Sequence, residues 1–144
     1  QNKMATLTPT LTLASTDISA SETLNLTLTD TLSVLGPVET KRQPIAASAT
    51  DLEATNVILL AASYSKSYVL LYNTSTAASG EIITVGTAVA TGGTNDEGLL
   101  ATASQMSLAP GEWAFFPWES DINLAADATT GTPVLEIRVF QTAA

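Results

Sequence analysis

From Thr6 to Leu13 apolar and hydroxyl side chains alternate. Leu7, Leu11 and Leu13 fall on one side, and Thr6, Thr8, Thr10 and Thr12 on the other. A period of two places successive side chains on opposite faces, so the segment predicts a half-buried strand. Pro9 has no N–H to give a ladder, so this strand belongs at an edge or in an arm. Residues 22–34 repeat the pattern, with Leu24, Leu26, Leu28, Leu32 and Val34 facing away from Thr23, Asn25, Thr27, Thr29, Thr31 and Ser33. Asp30 interrupts the apolar side, which a bulge or a stretch reaching solvent would accommodate.

Gly36-Pro37 ends this pattern, and residues 37–50 show no clean periodicity, which predicts a long connection; one helical turn or a loop fits residues 48–54. Val57 to Ala61 is apolar at every position, as in a strand covered on both faces. Tyr68 to Tyr72 and Glu81 to Val85 predict further strands, separated by polar turn residues from Asn73 to Gly80. Residues 86–98 read as an exposed loop, with a weak strand over Thr87 to Ala90. Ala109-Pro110-Gly111 fits a type II turn, in which glycine supplies the positive φ. Strands follow from Glu112 to Trp118 and around Ile122, Leu124 and Ala126, then a turn at Thr129 to Thr132. In the last strand, Val134 to Phe140, Leu135, Ile137 and Val139 oppose Glu136 and Arg138, which share the outer face and can pair. Many short strands with turns between them predict an all-β antiparallel sandwich with an extended N-terminal strand or arm. The expected division is an arm over residues 1–36, a connecting segment over 37–56 and a sandwich core over 57–144, within one domain overall.

Composition sharpens this. Charged residues make up 13% of 144, about half the usual share. Thr, Ser and Ala take their place, which suits strands and suits a surface destined for burial in an assembly. The formal charge of −9 argues against nucleic acid or an anionic membrane as partner, since both need basic footprints. No apolar run reaches the ~18–20 residues of a membrane span.

The chain has no histidine and no cysteine. Ser-His-Asp triads, cysteine nucleophiles, disulfides and nearly all zinc sites are thereby removed. Glu119 with Asp121 is the nearest approach to a carboxylate pair and reads as a solvated turn. Asn95-Asp96-Glu97 lacks the spaced ligands of a calcium loop. The expectation is a non-enzyme without cofactor or metal. Asn25-Leu26-Thr27 and Asn73-Thr74-Ser75 match the glycosylation sequon and read as chance matches. The Thr-x-Thr rows lack the short regular repeats of ice-binding arrays and read as a solvated or partner-covered face. Trp113 to Trp118 holds both tryptophans, with Trp113 and Phe115 on one face and Phe116 and Trp118 on the other. Three readings stay open: a central core strand, a strand with one face in the core and the other at a subunit interface, or a sugar-binding platform, which would want more exposed polar partners nearby. Candidate interface residues are Leu7, Leu11 and Leu13 in the arm and Trp113, Phe115 and Trp118 in the aromatic strand.

The second half, about residues 57–141, resembles small structural proteins of tailed-phage capsids, including decoration (cement) proteins with a jelly-roll-like β-sandwich. The likeness lies in Tyr68-Val-Leu-Leu-Tyr-Asn73, Ile82-Ile-Thr-Val-Gly86, Leu108-Ala-Pro-Gly-Glu-Trp-Ala-Phe-Phe-Pro117 and Val134-Leu-Glu-Ile-Arg-Val-Phe140. It implies a virion protein, made in the host cytoplasm, that sits on the outer capsid surface. There it would bind the major capsid protein, often as a homotrimer. A fibre, neck or tail module and a carbohydrate-binding β-sandwich are the competing expectations.

Overall fold

A computed structural model describes residues 4–19, 22–35, 39–45, 57–60, 67–87, 104–118 and 124–142. These residues contain twelve β-strands and one short 3-10 turn at Ala77–Ser79. The strands are β1 (Met4–Leu7), β2 (Thr10–Ser19), β3 (Glu22–Thr29), β4 (Leu32–Leu35), β5 (Glu39–Pro44), β6 (Val57–Leu60), β7 (Ser67–Asn73), β8 (Ile83–Thr87), β9 (Ser104–Leu108), β10 (Trp113–Trp118), β11 (Leu124–Ala128) and β12 (Val134–Gln141). The chain forms two units, Gln1–Pro37 with Thr142–Ala144, and Val38–Gln141.

In the larger unit the pairs are nested. The first strand, β5, pairs with the last, β12; then β6 pairs with β11, β7 with β10 and β8 with β9. Two more pairings, β12 with β7 and β11 with β8, roll this long ribbon into two four-stranded sheets. Their orders are β10-β7-β12-β5 and β6-β11-β8-β9, and every pairing is antiparallel. This nested order is that of an eight-stranded jelly roll.

The core follows from the period of two. Val69 and Leu71 of β7 and Leu135, Ile137 and Val139 of β12 come from one sheet. Ile83 and Val85 of β8, Leu108 of β9 and Leu124, Ala126 and Ala128 of β11 come from the other, and all join one buried cluster. Leu71 and Leu135 are fully buried, each worth about 1.5–3 kcal/mol of transfer free energy. Ala114, Phe116 and Trp118 of β10 pack on this cluster half-buried, and the Phe116 and Trp118 rings meet edge to face at 6.2 Å. β11 is buried at Leu124, Ala125 and Ala126 alike, so both of its faces are covered there.

Turn chemistry agrees with the sequence. Gly111 has φ 82°, and Glu112 N–H donates to Ala109 O at 2.9 Å, as the type II turn requires. Gly131 supplies the positive φ, 67°, of the turn before β12. One expectation fails: the connection assigned to residues 37–56 contains β5, an edge strand along β12. Lys41, Arg42 and Gln43 lack apolar alternation because the backbone ladder, rather than burial of their side chains, holds this edge. Residues 46–56 lie outside the described part, as do the Asn95-Asp96-Glu97 and Glu119/Asp121 carboxylates and Gly36-Pro37.

The smaller unit is a hairpin whose two ladders, at Met4 to Leu7 and Thr10 to Ser15, share one register. Met4 to Leu7 pair with Leu35 to Leu32, and Thr10 to Ser15 pair with Thr29 to Leu24. Between these stretches Asp30 N–H donates to Pro9 O at 3.1 Å, so the ribbon continues through the proline. The register shifts once, between Ser15 and Ser19. Thr142 adds an isolated bridge to Val34.

Candidate docking surfaces

Residues directly opposite in an antiparallel pair share a face. From Thr6 to Leu13 and their partners the ribbon therefore sorts leucines to one face and hydroxyl side chains to the other, with Pro9 and Asp30 interrupting the leucine side. One face carries Leu7 with Leu32, Leu11 with Leu28, Leu13 with Leu26, and Leu24 opposite Ser15. The other carries Thr6 with Ser33, Thr10 with Thr29 and Thr12 with Thr27. The Thr10 and Thr29 hydroxyls lie 3.4 Å apart across the strands.

The leucine face changes character along its length. Leu32 and Val34 are buried and Leu7 half-buried, whereas Leu11, Leu13, Leu26 and Leu28 are 40, 42, 38 and 56% exposed. Asp30, opposite Pro9, marks the change, and its carboxylate accepts the Thr31 N–H at 2.7 Å. The sequence marked Asp30 as the break in the apolar side. What it could not show is that Pro9 stands across from it, so that both irregularities fall at one point of the ribbon.

A second surface lies on the side of the β10-β7-β12-β5 sheet away from the core. Register places Trp113, Tyr72, Glu136 and Arg42 in one row across the four strands. Phe115, Leu70, Arg138 and Thr40 form the next row, and Pro117, Tyr68 and Phe140 a third. Tyr68 stacks on Phe115 at 5.6 Å, and Phe140 meets Phe115 edge-on at 6.4 Å. Trp113 is 58% exposed and Tyr72 37%. Glu136 anchors the polar half. Arg138 donates to Glu136 Oε1 through Nη2 at 2.8 Å and Nε at 3.2 Å, and Arg42 Nη2 lies 3.8 Å from Oε2. The pairing expected of Glu136 with Arg138 is present, and Arg42 from the strand that sequence reading missed extends it.

Leu11 and Leu13 thus share an open face with Leu26 and Leu28, and Leu7 sits on the same face at its more buried end. Trp113 and Phe115 share the outer sheet face, while Trp118 points to the opposite side and packs on the core. Asn73, half of a sequon, is buried: its amide donates to Glu81 O and Leu108 O and its carbonyl accepts Ser75 N–H. Its amide is committed to structure and unavailable for attachment of a sugar. Among the described residues no group of three or more Asp or Glu side chains is placed to hold a metal, and no helix is long and apolar enough to cross a membrane. Comparison with protein-family models, with curated proteins and with solved structures finds no match.

Proposed function

We propose that this chain is a non-enzymatic structural protein that decorates the outer surface of a tailed-phage capsid, binding the major capsid protein through the ribbon and stabilising the assembled shell. The observation that carries this is the row of exposed leucines on a two-stranded ribbon. An isolated two-stranded ribbon is marginal in water and gains stability when its apolar face is covered. Leu11, Leu13, Leu26 and Leu28 offer a narrow apolar strip with threonines behind it, suited to lying in a groove between neighbouring subunits. The jelly roll, with its own closed core, would remain a rigid body on the outside. Fold supports this by analogy alone, since jelly rolls also serve as lectin domains and cupins. A ligand that binds only the assembled state stabilises it by mass action.

The test is binding to expanded phage shells stripped of decoration, followed by the melting temperature of the shell. The expected result is saturable binding to shells, none to free capsid subunits, and a higher shell melting temperature. Leu13→Asp should abolish binding while the circular dichroism of the free chain is unchanged. Attachment at a single vertex would instead identify a fibre, neck or tail module. Failure to bind any shell, together with glycan binding that Trp113→Ala removes, would replace the proposal with the carbohydrate-binding reading.

A further inference from the structure

We infer that the outer face of the β10-β7-β12-β5 sheet is a contact between two copies of this chain, related by a two-fold axis running between β7 and β12. This stands apart from the shell reading and is testable on the free chain.

The composition of the face is that of a protein interface. It gathers Trp113, Tyr72, Tyr68, Phe115 and Phe140, most of the chain's aromatic side chains, with Arg42 and Arg138. Trp, Tyr and Arg are the residues that dominate binding energy at such contacts. A core strand explains the inner face of β10, where Ala114, Phe116 and Trp118 pack. It does not explain aromatic residues on the other side.

The pattern also selects the partner. In the first two rows the face is divided: β10 and β7 carry Trp113, Tyr72, Phe115 and Leu70, and β12 and β5 carry Glu136, Arg138, Arg42 and Thr40, whereas the third row is aromatic on β12 as well, at Phe140. A two-fold axis along the strands at the centre of the sheet exchanges these halves. In the row Trp113, Tyr72, Glu136 and Arg42, it lays Trp113 over Arg42 of the second copy and Tyr72 over Glu136 of the second copy. An indole under a guanidinium is the strongest of the common cation–π pairs. A phenol facing a carboxylate is a donor facing an acceptor. Each favourable pairing occurs twice, as an isologous interface demands. The Arg42 and Arg138 side chains are 67 and 48% exposed, so they are available to cover a neighbouring ring.

Charge and edges agree. Of the three described basic residues, Arg42 and Arg138 lie on this face, in a chain of net charge −9, while Lys41, opposite Ile137, lies on the other side of β5. Growth of the sheet sideways is blunted, because both edge strands carry a proline, Pro117 in β10 and Pro44 in β5.

The absence of native cysteine permits a clean test. Trp113→Cys and Arg42→Cys chains are prepared separately, mixed and treated with a short bismaleimide. The expected product is the mixed dimer, well above the yield of either chain alone and of Trp113→Cys mixed with exposed Thr132→Cys. Light scattering of the unmodified chain over a dilution series should show a monomer–dimer equilibrium, weakened about thirtyfold by Trp113→Ala. Because Trp113 is exposed, that variant keeps its circular dichroism. A monomer at every concentration, a trimer, or mixed cross-linking no better than the Thr132 control would overturn the inference. Binding of a soluble polysaccharide by a strictly monomeric chain would overturn it too, and would give the aromatic row to a sugar.

Discussion

The side-chain amide of Asn73, at the end of β7, donates to the backbone carbonyl of Leu108, at the end of β9 in the opposite sheet, at 3.0 Å. The same amide reaches Glu81 O at 2.9 Å, and its carbonyl accepts Ser75 N–H at 3.1 Å. Its backbone N–H and C=O bond to Glu112 O and from Gly111 N–H. One buried residue therefore ties both sheets and two turns together.

Asn73→Ala should cost about 3 kcal/mol, because it leaves buried carbonyls and an N–H without partners. Urea unfolding of the free chain measures this. Asn73→Asp should be worse at neutral pH. The new carboxyl faces two carbonyl oxygens, which accept a proton's hydrogen bond and repel a negative charge, so its folded-state pKa lies above its unfolded value near ~3.9. The variant is then most stable below that unfolded value and loses stability as pH rises through the folded one. Melting temperatures over a pH series that do not fall with pH would contradict this.

The two glycine turns differ in a way that a paired experiment reveals. A Cβ at Gly111 meets open space, so Gly111→Ala pays only for left-handed backbone, about 1 kcal/mol. A Cβ at Gly131 runs into the Glu81 carboxylate, which holds Thr132 N–H at 3.2 Å. Gly131→Ala should therefore cost about 2–3 kcal/mol, strain and displacement together. Equal losses in denaturant titrations would refute the distinction.

Leu71 and Leu13 are the same residue with opposite fates. Leu71→Ala opens a cavity in the sandwich and should cost about 2–5 kcal/mol. Leu13→Ala, on the exposed ribbon face, should move the unfolding midpoint by less than about 1 kcal/mol. Its effect should appear in binding instead.

Glu136→Gln should lower stability by under about 1 kcal/mol, since its arginine partners are largely exposed. The difference from the parent chain should shrink as salt is raised, because screening weakens the lost pairs. A larger, salt-independent loss would show that Glu136 acts through packing.

The sequence by itself determined the strands with a clean period of two, from the Thr/Leu segments to Leu135, Ile137 and Val139, because alternation is a local consequence of backbone geometry. It also determined the turns at Gly111 and Gly131, where positive φ selects glycine, and the absence of histidine and cysteine chemistry. It placed Trp113 and Phe115 on one side of β10 and Trp118 on the other, but left open which side faced the core. Only the tertiary structure decided that, because facing the core depends on where the second sheet lies. Strand order was likewise beyond local reading: nesting β5 with β12 and β6 with β11 joins residues far apart in the chain. β5 itself was invisible, since an edge strand held by its backbone ladder imposes no pattern on Lys41, Arg42 and Gln43. The divided face of Trp113, Tyr72, Glu136 and Arg42 exists only once four distant strands lie side by side.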